Sequence, residues 1–341
     1  MLPTATAELP GTGGVFRPGP EDVSCEEVLV RQAGGAGKFW WAKAIKTGIG
    51  TTQAREAVAR SVGIPPDKVG FAGHRDRRTK CTQWFSVPGE LVETPNALRN
   101  AGFRSSLKVV EVAQAHGPIG PDSVVDLRWR VRLRDAARND GFQRAKAILA
   151  RLRTIGVPNY VHPSRFGKDG NLVKWGRLLA SGGRLPRPVA ATGVVPGECL
   201  SALQWSLFNR WLAARISDGL LATCLEGERV RTGTGDEVIV ADPAEYAKRF
   251  ESWEAVALGP LFGAGMSRCA GQAAARESAL ITEAGLGDEA ISRLAGGRRP
   301  ARVQPRKTTL DLSGPDLVLD CDLPAGAYIG VLADEIIKPA P

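Results

Sequence analysis

The sequence predicts an α+β fold organised as two domains, or as one domain carrying a large insertion. A chain of 341 residues exceeds the usual span of a single core. Residues 127–134 alternate strictly between apolar and cationic side chains, the period of a strand. Residues 53–62, 142–152 and 206–217 instead place apolar side chains at helical spacing.

Taken in order, Ala54, Val58 and Val62 recur every four residues with Arg55, Glu56 and Arg60 between them, a short amphipathic helix that Gly63 ends. Val69-Gly70-Phe71 and Gln83–Val87 read as strands flanking a polar loop, with Pro88-Gly89 as punctuation after the second. Leu127, Trp129, Val131 and Leu133 then point one way, and Arg128, Arg130, Arg132 and Arg134 the other. That cationic face is either solvated or an RNA contact, since four like charges repel unless something anionic lies nearby. Phe142, Ala145, Ile148, Leu149 and Leu152 keep helical spacing, with Arg144, Lys146, Arg151 and Arg153 on the other side.

Gly156-Val157-Pro158-Asn159-Tyr160 breaks that helix and opens a different region. Ser206–Ser217 is the next helix, striped by Leu207, Phe208, Trp211, Leu212 and Ile216. Thr232-Gly233-Thr234-Gly235-Asp236 lacks the spacing of a phosphate-binding loop and reads as a hairpin turn. Pro260-Leu261-Phe262-Gly263 reads as a turn, and Arg298, Arg299, Arg302, Arg306 and Lys307 as a basic linker broken by Pro300 and Pro305. Leu317–Leu323 is strand-like, and Val331–Ile337 is a closing helix.

Hydrophobic residues at 43% and charged ones at 24% exclude wholesale disorder. The net charge of +9 points to nucleic acid or another anionic partner. Much of the excess is local, since residues 128–153 carry nine Lys/Arg against Asp135 and Asp140. The six cysteines, Cys25, Cys81, Cys199, Cys224, Cys269 and Cys321, are too far apart in sequence for a local metal or redox motif, and are expected as reduced thiols in a cytoplasmic protein. Residues 1–14 lack the pattern of a signal peptide, and no apolar run is long enough for a bilayer. Three scattered histidines, His74, His116 and His162, leave little room for a histidine triad and favour carboxylate chemistry.

The loop Gly73-His74-Arg75-Asp76-Arg77-Arg78-Thr79-Lys80 sets one carboxylate among four cations. Arg75 and Arg77 would favour ionised Asp76 by Coulomb attraction, leaving it available as nucleophile or base. A solvated turn whose aspartate is merely neutralised is the competing reading.

Several separated motifs bear on that choice: Pro20-Glu21-Asp22; Gly73-His74-Arg75-Asp76-Arg77 with Gln83-Trp84; Gly156–Tyr160 with Arg165-Phe166-Gly167; Leu207-Phe208-Asn209; and Leu323-Pro324-Ala325-Gly326-Ala327-Tyr328. In this order and spacing they resemble the TruD family of tRNA pseudouridine synthases, from Gly11-Thr12-Gly13 to Glu335. The resemblance implies a pseudouridine-synthase-like catalytic domain, residues 1–158 and 303–341, built on a mixed, largely antiparallel central sheet. A TruD-specific α/β insertion domain would span residues 159–302. Asp76 matches the catalytic aspartate, and Arg75 the basic residue before it. Arg17 falls near a basic position ahead of Pro20-Glu21-Asp22.

The implied reaction converts a uridine of tRNA, at position 13 by resemblance, to pseudouridine without cofactor or metal. The enzyme would be a cytoplasmic monomer with tRNA as partner and no membrane association. Trp129 and Phe166 are candidates to stack on an extruded base, Trp129 alternatively packing in the core. Arg77, Arg78, Lys80, Arg165 and the arginine strand are candidates to hold RNA. Leu127 and Trp129 stand where the family carries Asn and Phe, Val23 replaces a Phe, and Cys81 replaces a Thr. Val161-His162-Pro163-Ser164 also departs from the family pattern before Arg165. These departures leave two alternatives, a non-catalytic RNA-binding or RNA-folding protein on this scaffold and a pseudouridine synthase acting on another RNA.

Overall fold

The computed structural model describes residues 2–92, 95–102 and 105–338. In chain order the elements are β1 (Val15–Phe16), β2 (Val23–Leu29), β3 (Phe39–Lys46), α1 (Thr51–Ser61), β4 (Gly70–Phe71), β5 (Lys80–Pro88), α2 (Pro95–Arg99), β6 (Leu107–Ala115), β7 (Val124–Arg134) and α3 (Gly141–Ile155). There follow β8 (Val157–Pro158), α4 (Asn171–Ala180), α5 (Arg187–Ala190), α6 (Pro196–Ser217), β9 (Arg229–Thr232), β10 (Glu237–Ile239), α7 (Pro243–Glu251), β11 (Ala255–Leu261), α8 (Gly271–Glu283), α9 (Asp288–Ser292), β12 (Gly297–Pro300) and β13 (Arg302–Val303). β14 (Arg306–Ser313), β15 (Asp316–Pro324) and α10 (Ile329–Ile337) close the chain. Contacts divide it into two compact units, Thr12–Lys146 with Pro305–Gly326, and Met1–Gly11 with Ala147–Gln304 and Ala327–Pro341.

The first unit is built on a nine-stranded sheet in the order β14-β15-β7-β2-β5-β3-β6, with β1 added to β7 and β4 to β5. Among the described residues only β2 and β5 run parallel, so the sheet is mixed and largely antiparallel. Ala42, Ala44, Phe85 and Val87 line one sheet face and pack with Ala54, Ala57 and Val58 of α1. The four-residue apolar repeat of α1 is therefore the stripe that meets the sheet.

Register decides what surrounds this core. Lys46 pairs with Cys81, Cys81 with Cys25, Cys25 with Trp129, and Trp129 with Cys321, forming one row across five strands. Registered partners project to the same side. Cys25 and Cys81 are 4.8 Å apart at Cα and form a disulfide, so the expectation of six reduced thiols is corrected. Their 56-residue separation hides the pair from any test for local motifs.

In the second unit, β10-β9-β11-β12 form a four-stranded sheet and β13 pairs with β8. The expected hairpin at Thr232–Asp236 joins β9 to β10, closed by the Asp236 carbonyl accepting from Thr232 N–H. Two expectations fail here. Pro260 and Leu261 lie inside β11, paired with Arg298 and Gly297, rather than in a turn. The basic linker is instead strand, and Arg298 and Arg302 are buried.

Each of these arginines has a structural task. Arg298 pairs with Glu277. Arg302 lies 4.2 Å from the Trp253 ring centroid and donates to Ile155 O at 3.0 Å. Arg299 donates to both Asn159 oxygens, at 3.0 and 2.6 Å. Asn209 brackets Val161, accepting from its N–H at 2.9 Å and donating to its carbonyl at 2.8 Å. Gly156 has φ +91°, and a Cβ there would meet Trp253 at 2.7 Å, so only glycine fits.

Protein purified without reductant should show four titratable thiols after denaturation, and six after reduction. Finding six before reduction would show that Cys25 and Cys81 are unpaired in solution.

Candidate active site

The loop between β4 and β5 is held from below. Lys46, fully buried at the end of β3, donates to Ile49 O at 3.1 Å and to Arg75 O and Asp76 O, both at 3.4 Å. An ammonium has three donors, and three carbonyls meet them. Thr51, the first residue of α1, accepts from Arg75 N–H at 2.9 Å and donates to Gln83 Oε1 at 3.0 Å. The Gln83 amide donates to Gly73 O at 2.7 Å and to Glu27 at 3.2 Å. Glu27 also accepts from Trp84 N–H at 2.8 Å and from Arg75 Nε at 2.9 Å. Thr79 Oγ1 donates back to Asp76 O at 3.2 Å.

The backbone on both sides of Asp76 is thus pinned while its carboxylate faces outward, 37% exposed. Arg78 holds that carboxylate through its backbone N–H at 2.9 Å and its guanidinium at 2.6 Å. Partial burial alone would raise the Asp76 pKa, but the Arg78 hydrogen bonds and charge, joined by the Lys46 charge, outweigh it and hold the carboxyl below its ordinary value. Burial brings the Lys46 ammonium down to about 8, against the opposing pull of Asp76 and Glu27 and with some help from Arg75. Burial also raises Glu27, partly offset by Arg75 and by its hydrogen bonds. An ionised, oriented and accessible carboxylate on a fixed backbone can serve as nucleophile or as base.

Comparison with known proteins places the chain in a family. The family model for tRNA pseudouridine synthase D (TruD) matches residues 3–182 and 199–336. The chain belongs to the TruD family. A tRNA pseudouridine synthase D of Anaeromyxobacter sp. (strain Fw109-5) is 35% identical over 98% of this chain and 96% of its own length. One from Thermus thermophilus is 32% identical over 98% and 92%. A solved TruD structure from Methanosarcina mazei shares the fold, with TM-score 0.71, 18% identity and coverage of 98% and 96%.

Within this TruD chain, some residues sit where the sequence suggested and others do not. Arg77, Arg78 and Lys80 are exposed beside Asp76. Arg75 turns inward to Glu27, so Arg78, and not Arg75 or Arg17, holds the candidate carboxylate. Arg17 is exposed in the turn between β1 and β2. Trp129 is only 8% exposed, and its Nε1–H finds no hydrogen-bond partner among the described residues. Arg165 and Phe166 belong to the other unit, where Arg165 stacks 5.5 Å from the Trp205 ring centroid.

The arginine strand carries its own counter-ions. Arg128, Arg130 and Arg132 pair with Asp322, Asp320 and Asp316 of β15, and Arg134 pairs with Asp22. The row that looked like a bare cationic face is an ion-pair ladder in which three of the four acids come from β15, 184 to 194 residues away. Lys46, Glu27 and Thr51 were missed by the sequence reading, and Gln83 stood there only as a strand and motif residue. For Glu27 and Lys46 the signal was a charge at an inward position, since Glu27 follows Val23 and Cys25, and Lys46 follows Ala42 and Ala44, on one face.

The Lys46 shift has a stability consequence. Its native value near 8 lies below the ordinary 10.5, so between these the unfolded chain binds more protons and stability rises with pH. Relative to Lys46→Met, the wild-type protein should gain stability from pH 8 to 10.5, with a slope of up to about 1.4 kcal/mol per pH unit. Below pH 8 the difference should be flat. Denaturant melts across this range check the sign.

Proposed function

We propose that this chain converts a uridine of tRNA to pseudouridine, with Asp76 as the catalytic residue. The observation that carries the reading is an outward-facing carboxylate, held below its ordinary pKa on a backbone-pinned loop, in a chain of the TruD family. The reaction breaks the bond from ribose C1′ to uracil N1, turns the base and joins C1′ to C5. The C5 proton leaves and N1 gains one. It is an isomerisation, so its balance needs no oxidant, reductant or second substrate.

Asp76 acts either on the nucleoside as nucleophile or on its proton as base, and in both roles it must be ionised. Arg78 holds it so. A uridine in folded RNA must leave its stack to reach the carboxylate. Trp129 would need to be uncovered to stack on it, being 8% exposed, whereas Phe166 is half-buried in the other unit. Arg77 and Lys80 are the first-choice phosphate contacts, because the β7 arginines already face carboxylates. Uridine 13 as target, residues 159–302 as the insertion domain, a monomeric state and a cytoplasmic location are parts of the same proposal. Among the described residues no helix is long and apolar enough to cross a membrane. A cytoplasmic setting makes the Cys25–Cys81 bond exceptional, because thiols there are kept reduced.

Asp76→Asn should abolish pseudouridine formation in an unmodified tRNA pool while tRNA affinity stays equal or rises. Product formation by that variant would overturn the assignment of Asp76. Product absent even with wild-type protein on total RNA would favour the non-catalytic binder. Binding should weaken steeply with salt, and Arg77→Ala should lower the slope of log affinity against log salt by about one. An unchanged slope would remove Arg77 from the RNA contact.

A further inference from the structure

The two carbonyls that flank the Asp76 Cα, those of Arg75 and Asp76 itself, accept from one side chain, Lys46. Fixing both peptide planes about one Cα fixes the direction of its Cα–Cβ bond. The third donor reaches Ile49 O, in the turn between β3 and α1, which ties the loop to the end of an interior strand of the sheet. We propose that Lys46 is a positioning residue that sets the orientation of the Asp76 carboxylate through the loop backbone and places a second positive charge behind it. The inference rests on Asp76 being the catalyst.

The chemistry of the site favours this over simple filling. A methionine would occupy the same apolar stem without desolvating a charge, but it would take away the donors that join the three carbonyls. Neighbouring supports do not duplicate the role. Thr51 and Gln83 reach Arg75 N–H and Gly73 O, and Thr79 shares the Asp76 carbonyl alone, so among the described residues it is Lys46 whose side chain reaches both carbonyls beside Asp76. Glu27 engages the Arg75 side chain, not the backbone at Asp76. The charged groups facing the Lys46 ammonium are Asp76 and Arg75 from the loop and Glu27 from β2. The ammonium, bonded to backbone carbonyls, therefore also lies in the field of the buried acid of the sheet and of the outward acid of the loop.

The test compares Lys46→Met, Lys46→Gln and Thr51→Val with wild type, in single-turnover pseudouridine formation on an unmodified tRNA pool, with Asp76→Asn in parallel. A misplacement of about 1 Å can cost about 100-fold in rate. Lys46→Met and Lys46→Gln should lose about that much single-turnover rate, with tRNA Kd within about threefold of wild type. Hydrogen exchange should speed up in peptides covering residues 73–79 while those from β5 and α1 stay protected. Thr51→Val, which keeps Lys46, should lose less rate than either. Wild-type rates in both Lys46 variants would overturn the inference while leaving Asp76 as catalyst, provided Asp76→Asn is inactive. Global loss of exchange protection in both would also overturn it, making Lys46 a folding residue. An active Asp76→Asn would instead remove the reading beneath it.

Discussion

A lysine ammonium withdrawn from water is tolerable only when its three N–H groups find acceptors, and here those acceptors are the backbone of a loop. That requirement organises the candidate site. It demands that the loop between β4 and β5 lie on the sheet face carrying Lys46, and Thr51, Gln83 and Glu27 satisfy the other polar groups brought in with it. A partly satisfied network of this kind would be worse than an apolar core. The result separates two tasks: the buried groups hold the chain, and Asp76, held by Arg78, is left facing solvent.

Pairing of charges also decides where an anionic substrate can be held. The excess of cations in residues 128–153 suggested one dominant basic surface, yet β15 supplies Asp316, Asp320 and Asp322 against it. Partly exposed pairs of this type add little stability each, so their effect is chiefly to hold the β7–β15 register and lower the local field. The cations at the mouth of the loop, Arg77 and Lys80, are thereby left more prominent than a linear count implies. Within the second unit, Arg298, Arg299 and Arg302 are absorbed by Glu277, by Asn159, and by the carbonyls and rings around Trp253.

Local pattern was enough to read α1, β5, β7, β15 and α10, because α1 and β7 bury one regular face and the other three are short apolar runs buried on most sides. The helix read over 206–217 is observed as α6 from Pro196; its first turns carry Cys199, Ala202 and Leu203 inward, but a proline and a glycine at the start masked the pattern. The turn read at Pro260 failed because proline and glycine can lie in a short strand where their neighbours supply the pairing. Asp76 was legible as a lone acid among cations, but not which cation holds it. Arg75 and Arg78 are equivalent in a string of letters, and the direction in which each leaves the backbone separates them. The disulfide and the arginine ladder depend on strand register between distant segments, which no local pattern contains.

A pinned loop that keeps Asp76 ionised and exposed must show itself in the titration of that one carboxyl. Carbon-13 NMR of protein labelled at aspartate carboxyls reads it, with the Asp76 signal assigned by its absence in Asp76→Asn. The midpoint should fall below the ordinary aspartate value of 3.8. A midpoint at or above that value would contradict the role given to Arg78 and Lys46.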